Sequence, residues 1–222
     1  MYRKDLLPEE LVVAAGKVIE EGKEVDELSK GLFPGAFKVQ GFGMEGFAAA
    51  KRAMNAGETI LMQPTVVAGQ FISRADFLVY NAEIKKWDIF EVKSTTSVKR
   101  AGGKKRYESQ IIDVAFQRMC WERAGISIGQ TYVVCINSDF VRNGEVKATS
   151  RASNDASKGF FIKEDVTDEV NEMIPDIEGD IAGALAALQI PCDTEPALVL
   201  RRLCPAGAPD FLKELDFKTL EL

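Results

Sequence analysis

The sequence contains no histidine. That absence removes Ser-His-Asp and Cys-His catalysis, histidine-ligated metal nucleases and any zinc site that needs imidazole. Cysteine is scarce as well. Cys120, Cys135, Cys192 and Cys204 lie far apart and form no C-x-x-C pair, which argues against a disulfide-rich scaffold and a paired-cysteine zinc ribbon. No apolar run approaches the roughly 20 residues of a membrane span. Met1-Tyr2-Arg3-Lys4-Asp5 leads into no signal-peptide core, so a cytoplasmic chain with no membrane partner is expected. An overall basic charge is missing too: 28 Lys and Arg stand against 34 Asp and Glu, a net of −6. Proteins that coat nucleic acid over their whole surface are usually basic, so only a local basic patch remains open. Polar chemistry in this chain must rest on carboxylates, Lys, Tyr, backbone groups or a bound hard cation.

What is present is a globular composition, 222 residues with 46% hydrophobic and 28% charged, enough to bury a core. Leu11, Val12, Ala15, Val18, Ile19, Val25, Leu28 and Leu32 recur at mostly helical spacing, opened by Pro8 and closed by Gly31 and Pro34-Gly35. A second helix fits residues 45–55. Strand-like runs follow at 59–67, 71–80 and 87–93, with a turn at Asn81-Ala82 between the last two. Residues 107–124 read as an amphipathic helix and 131–136 as a buried strand. Arg142-Asn143-Gly144-Glu145 reads as a hairpin turn, and Thr167 as the cap of a last helix. This order predicts one α/β domain over residues 1–222, with a mixed β-sheet flanked by helices. Its core spans about 8–167, and an acidic helical extension covers about 168–222.

Charge is unevenly placed. Residues 85–106 carry 8 basic and 2 acidic side chains, whereas residues 164–222 carry 14 acidic and 4 basic ones. The acidic end reads as a solvated surface and a possible site for a protein partner. The basic stretch sits beside a strand that carries a carboxylate, which makes it the more informative of the two.

Three polar residues stand in apolar strand contexts. Asp76 interrupts Phe71-Ile72-Ser73-Arg74-Ala75-Asp76-Phe77-Leu78-Val79-Tyr80, and Glu91 and Lys93 interrupt Ile89-Phe90-Glu91-Val92-Lys93-Ser94. Two-residue alternation puts Glu91 and Lys93 on one face, with Phe90 and Val92 on the other. If the two strands form a hairpin, Asp76 faces Glu91. Two carboxylates so placed repel each other, and a divalent cation would compensate. Mg²⁺ prefers one or two carboxylates plus waters and phosphate oxygens. Lys93 would orient or activate the attacking water and offset charge growing on a phosphate. A Glu-x-Lys tripeptide is common, and alone it would read as an ordinary ion pair on a half-exposed sheet.

With these residues in place, the sequence resembles the PD-(D/E)xK nuclease superfamily, in particular its RecB-like branch, which includes CRISPR-associated exonucleases. The resemblance covers roughly residues 22–167. Ile72-Ser73-Arg74-Ala75-Asp76 supplies the first acid, and Ile89-Phe90-Glu91-Val92-Lys93-Ser94-Thr95 the second acid and the lysine. Asp113-Val114-Ala115-Phe116-Gln117-Arg118-Met119-Cys120-Trp121 resembles the Gln-x-x-x-Tyr helix, with Trp in the aromatic place. The resemblance implies a restriction-endonuclease-like core and Mg²⁺- or Mn²⁺-dependent hydrolysis of DNA phosphodiesters, on single strands or DNA ends. It implies Asp76, Glu91, Lys93 and Gln117 as the catalytic set. Asp76, Glu91 and the Val92 backbone carbonyl would be the metal ligands. RecB-like enzymes usually carry a ligating His after a Gly in the first helix; here Gly22-Lys23-Glu24-Val25-Asp26 offers Asp26, although a solvated helix face explains those acids about as well. Many relatives hold an iron–sulfur cluster on four cysteines. The cysteine placement here does not match, and no cluster is expected.

Gln117 has two open readings: a bond to the sheet backbone that serves only the core, or an amide that reaches the Glu91 and Lys93 end of the strand. The competing reading for the whole chain is a nucleic-acid-binding or regulatory relative that keeps the fold without catalysis. Lys99, Arg100, Lys104, Lys105 and Arg106, with Tyr107 beside them and Trp121 on the following helix, are the expected DNA contacts. Gly102-Gly103 loosens the loop, which suits phosphates rather than bases. Neutralising three of its five charges should flatten the plot of log affinity against log salt by about 0.7 per lost contact on single strands. An unchanged slope would return the loop to plain solvated surface.

Overall fold

A computed structural model of the chain describes residues 22–96, 108–140 and 159–188. The expected hairpin turn at 142–145, the basic loop with Tyr107, Cys192 and Cys204 lie outside them. The chain divides into two compact units, Met1–Met173 and Ile174–Leu222. The division falls a few residues past the expected start of the acidic extension.

The described part of the first helix, α1, covers residues 22–29. It ends in turns through Gly31 and Gly35, and Gly35 takes a positive φ of 85° that a side chain would resist. After strand β1 (Phe37–Lys38) comes helix α2 (Gly43–Asn55). The two long strand-like runs that follow are each broken. Residues 59–67 give β2 (Ile60–Met62) and β3 (Thr65–Ala68), and residues 71–80 give β4 (Phe71–Arg74) and β5 (Phe77–Asn81). The cause lies at Gln63-Pro64. Gln63 adopts a φ of 53°, and proline has no N–H to give to a ladder. The partner strand breaks at the same level: the Gln63 N–H donates to the Asp76 carbonyl at 2.7 Å, and the Ala75 N–H donates to the Pro64 carbonyl at 3.2 Å. Both strands thus leave the main sheet together, and β3 and β4 form a separate two-stranded ribbon.

Strand β6 (Lys86–Lys93) follows the turn at 82–85, then α3 (Glu108–Arg123), β7 (Ile128–Ile136), β8 (Phe161–Asp165) and α4 (Thr167–Leu188). The main sheet has the order β1-β2-β5-β6-β7-β8 among the described residues. It is mixed. β5 pairs antiparallel with β6, and β6 pairs parallel with β7, the connection that requires a crossover such as α3. Helices α1 and α3 flank the sheet. One face joins Val25 and Leu32 of the α1 region to Phe77, Phe90, Tyr132, Val134 and Phe161. The other carries Leu78, Ile89, Val133 and Cys135, all buried, on the side where α3 bonds to β6 and β7. Thr167 does not act as a simple cap. Its hydroxyl accepts the Thr131 N–H at 2.9 Å, and the Asp165 carboxylate takes the Thr167 N–H at 3.0 Å. No described helix is long and apolar enough to cross a membrane.

A bulge between Trp87 and Ile89 sets the register of β6 against β7. Buried Asp88 fills it, accepting the Gln130 N–H at 2.7 Å and the Asn81 side-chain amide at 3.2 Å. Gly129 opposite has no room for more, because a Cβ there would lie 2.5 Å from Asp88 Oδ1. This register decides which residues of β6 face α3, since a one-residue slip would turn Glu91 and Lys93 to the other side. Asp88→Ala should lower stability by about 1–3 kcal/mol, the usual cost of a buried N–H left without its acceptor. A denaturant midpoint equal to wild type would show that the carboxylate does not hold the bulge.

Candidate active site

The register Phe77↔Phe90 puts Asp76 opposite Glu91 just before β5 begins. Asp76 stands at the strand break described above, where its backbone carbonyl accepts the Gln63 N–H. Its Oδ2 accepts the Val92 N–H at 2.7 Å, which ties the acid to β6. Glu91 is 8% exposed. Its Oε1 accepts from Lys93 Nζ at 2.8 Å and its Oε2 from Gln117 Nε2 at 2.9 Å. Lys93 reaches across to a second carboxylate, Asp113 Oδ2 on α3, at 2.5 Å. Asp113, Gln117 and Trp121 are spaced by four and share one face of α3. The first two contact the Glu91–Lys93 pair. Gln117 bonds to a side chain and not to the sheet backbone, and its buried Oε1 has no partner among the described residues.

A cavity of about 250 Å³ is lined by Gly22, Val25, Asp26, Asp76, Glu91, Val92, Lys93 and Ser94. Three of the four expected catalytic residues line it, and Asp26 of α1 enters as well. Trp121 is a correction. It is fully buried, with its ring edge-on to Phe47 of α2 at 6.4 Å between centroids, so it packs the core and does not reach DNA. Cys120 and Cys135 are buried free thiols, and burial pushes each up to about 11.

The electrostatics follow from desolvation. Burial, reinforced by repulsion from Glu91, lifts Asp76 to about 7 against the opposing Val92 N–H and Lys93; Asp26 adds to the rise. Burial also raises Glu91, opposed by the Lys93 ammonium and the Gln117 amide. Burial works against the Lys93 ammonium, but attraction to Glu91 and the bond to Asp113 outweigh it and hold Lys93 above its ordinary value. In this setting the ammonium form of Lys93 is favoured.

Among the described residues no group of three or more His, Cys, Asp or Glu forms a ready-made metal cage. The donor set fits a hard dication that keeps several waters, because it offers only oxygens from two close carboxylates whose mutual repulsion needs positive charge. Asp113 is the participant that sequence reasoning left out of the site. Its spacing of four from Gln117 was the available signal. Comparison with protein-family models, curated proteins and solved structures gives no match.

Asp76 binds its proton more tightly folded, at about 7, than unfolded, near 3.8. Its contribution to stability is therefore greatest in acid and is lost as pH rises from about 4 through 7. Metal-free wild type should lose roughly 2–4 kcal/mol relative to Asp76→Asn across that window. Parallel pH–stability curves for the two proteins would contradict the assignment.

Proposed function

We propose that this chain is a Mg²⁺- or Mn²⁺-dependent deoxyribonuclease of RecB-like type, with a restriction-endonuclease-like core and exonucleolytic action on single strands or DNA ends. One observation carries the reading. Asp76 and Glu91, from adjoining antiparallel strands, meet at a cavity whose wall includes Lys93, and Gln117 from the crossover helix holds Glu91. The strand order gives it a suitable frame, with the acid-bearing pair leading through α3 into a parallel neighbour.

Asp76, Glu91 and the Val92 carbonyl would hold the cation, with Asp26 available from α1. When bound, a dication there would supply Lewis-acid chemistry for phosphodiester hydrolysis. The chain's own residues do the rest. Lys93, as an ammonium, orients the water by its N–H groups and offsets charge that develops on the phosphate. Gln117 fixes the rotamer of Glu91 through Oε2, so its amide acts on the carboxylate and not on substrate. Val92 N–H fixes Asp76 in the same way.

A second reading, a nucleic-acid-binding or regulatory relative without catalysis, draws on one feature. Lys93 and Gln117 already engage both oxygens of Glu91, so the pair is compensated without a cation. Mn²⁺ calorimetry on wild type and Glu91→Ala separates the two. The nuclease reading expects binding and DNA cleavage by wild type and neither by Glu91→Ala or Asp76→Ala, with the folds intact. Gln117→Ala should slow cleavage by about 10–100-fold, the usual cost of removing a partner that orients a metal ligand. Wild-type cleavage by Asp76→Ala in Mn²⁺ would sink the proposal.

A further inference from the structure

The Lys93 ammonium lies between two carboxylates from different elements, Glu91 Oε1 on its own strand at 2.8 Å and Asp113 Oδ2 on α3 at 2.5 Å. These two bonds have different surroundings. The Glu91 side chain is 11% exposed and the Asp113 side chain 47%. The inner bond compensates a buried acid, whereas the outer one lies where water already solvates the carboxylate well. An exposed ion pair contributes little to stability by itself. Asp113 is thus poorly placed to be a stabilising device, yet it sits where it can govern the position of Lys93.

The charge arrangement suggests why this matters. Glu91 and Asp113 share a single ammonium, and the Asp76 carboxyl stands beside Glu91, bonded to the Val92 N–H. If Glu91 is to offer Oε1 to a dication, the ammonium on that oxygen must withdraw, because two cations on one carboxylate oxygen repel. Without a second anion Lys93 would have to swing into solvent and leave the cavity. With Asp113 present it needs only to give up one of two bonds it already makes.

We propose that Asp113 is the positioning residue for Lys93: it retains the ammonium at the edge of the cavity when Glu91 Oε1 is given over to a cation. The inference rests on the metal-dependent reading of the site. It assigns Asp113 no contact with substrate and no part in proton transfer. Gln117, one turn along α3, meanwhile keeps Glu91 Oε2 fixed, so the carboxylate need not rotate to change partners. One face of α3 thereby holds both members of the Glu91–Lys93 pair, each by a different side chain.

The test is a double-mutant cycle read by Mn²⁺ calorimetry on the full chain, using wild type, Asp113→Asn, Lys93→Met and the double variant, with DNA cleavage measured separately on wild type. Asp113→Asn should weaken Mn²⁺ binding by about fivefold or more when Lys93 is present, a typical coupling between interacting groups. In the Lys93→Met background the same substitution should change affinity by less than about twofold, since no ammonium remains to be held. Asp113→Glu should recover most of the loss. Equal losses in both backgrounds would overturn the inference, because Asp113 would then act only as one more negative charge near the cation. Coupling without DNA cleavage by wild type would uphold the role of Asp113 and remove the nuclease reading. If wild type binds no Mn²⁺, both fall.

Discussion

Two facing carboxylates, Glu91 buried and Asp76 half-buried at the edge of a cavity, are the constraint on which the rest of this site depends. Asp76 and Glu91 are costly to ionise where they stand, and each raises the cost for the other. A sheet does not keep such a pair without compensation. The surrounding donors can be understood as what that compensation requires: the Val92 N–H on Asp76, and the Lys93 ammonium and Gln117 amide on Glu91. These groups come from β6 and α3, so the register of the one and the seating of the other must both be right before they can act. Asp88 in the bulge and the crossover between β6 and β7 are in this sense parts of the site, although neither touches the cavity.

The break in the paired strands has the same logic. An acid in the middle of a regular strand points wherever the alternation dictates and has apolar neighbours on its own face. At the level of Gln63-Pro64 and Ala75-Asp76 both strands leave the sheet, so Asp76 stands at a kink that is still tied by two backbone bonds. The position is rigid without being part of a ladder, which suits a side chain that must hold a fixed aim.

Much of this arrangement was legible in the sequence, for definite reasons. Alternation assigned Glu91 and Lys93 to one face, because period two is a strong constraint in a half-buried strand. The short turn after Asn81 fixed the hairpin, and the hairpin fixed Asp76 against Glu91. The spacing of Asp113, Gln117 and Trp121 gave a common helix face. What spacing could not give was depth. Gln117 and Trp121 share that face, yet one ends on a carboxylate and the other is buried with its ring edge-on to Phe47, because α3 packs against the β3–β4 ribbon as well as against the main sheet. Two runs read as single strands were broken, and the visible signal was Pro64, a residue without an N–H in the middle of an apolar segment.

Lys93 shows how the same residues can serve two states. In a site with no added cation it is the countercharge that makes buried Glu91 tolerable. In a site that holds a dication it would be redundant on Glu91, and its value would lie in directing N–H groups at water and phosphate. A lysine that only neutralised Glu91 would need no second carboxylate, and one that served only as a base would need its ammonium made less stable, by burial or by another cation. Its actual setting makes the ammonium more stable and gives it two places to rest. That combination suits a cation that must stay charged and stay near while its first partner is taken away, and it is hard to account for as a stabilising feature of the fold alone.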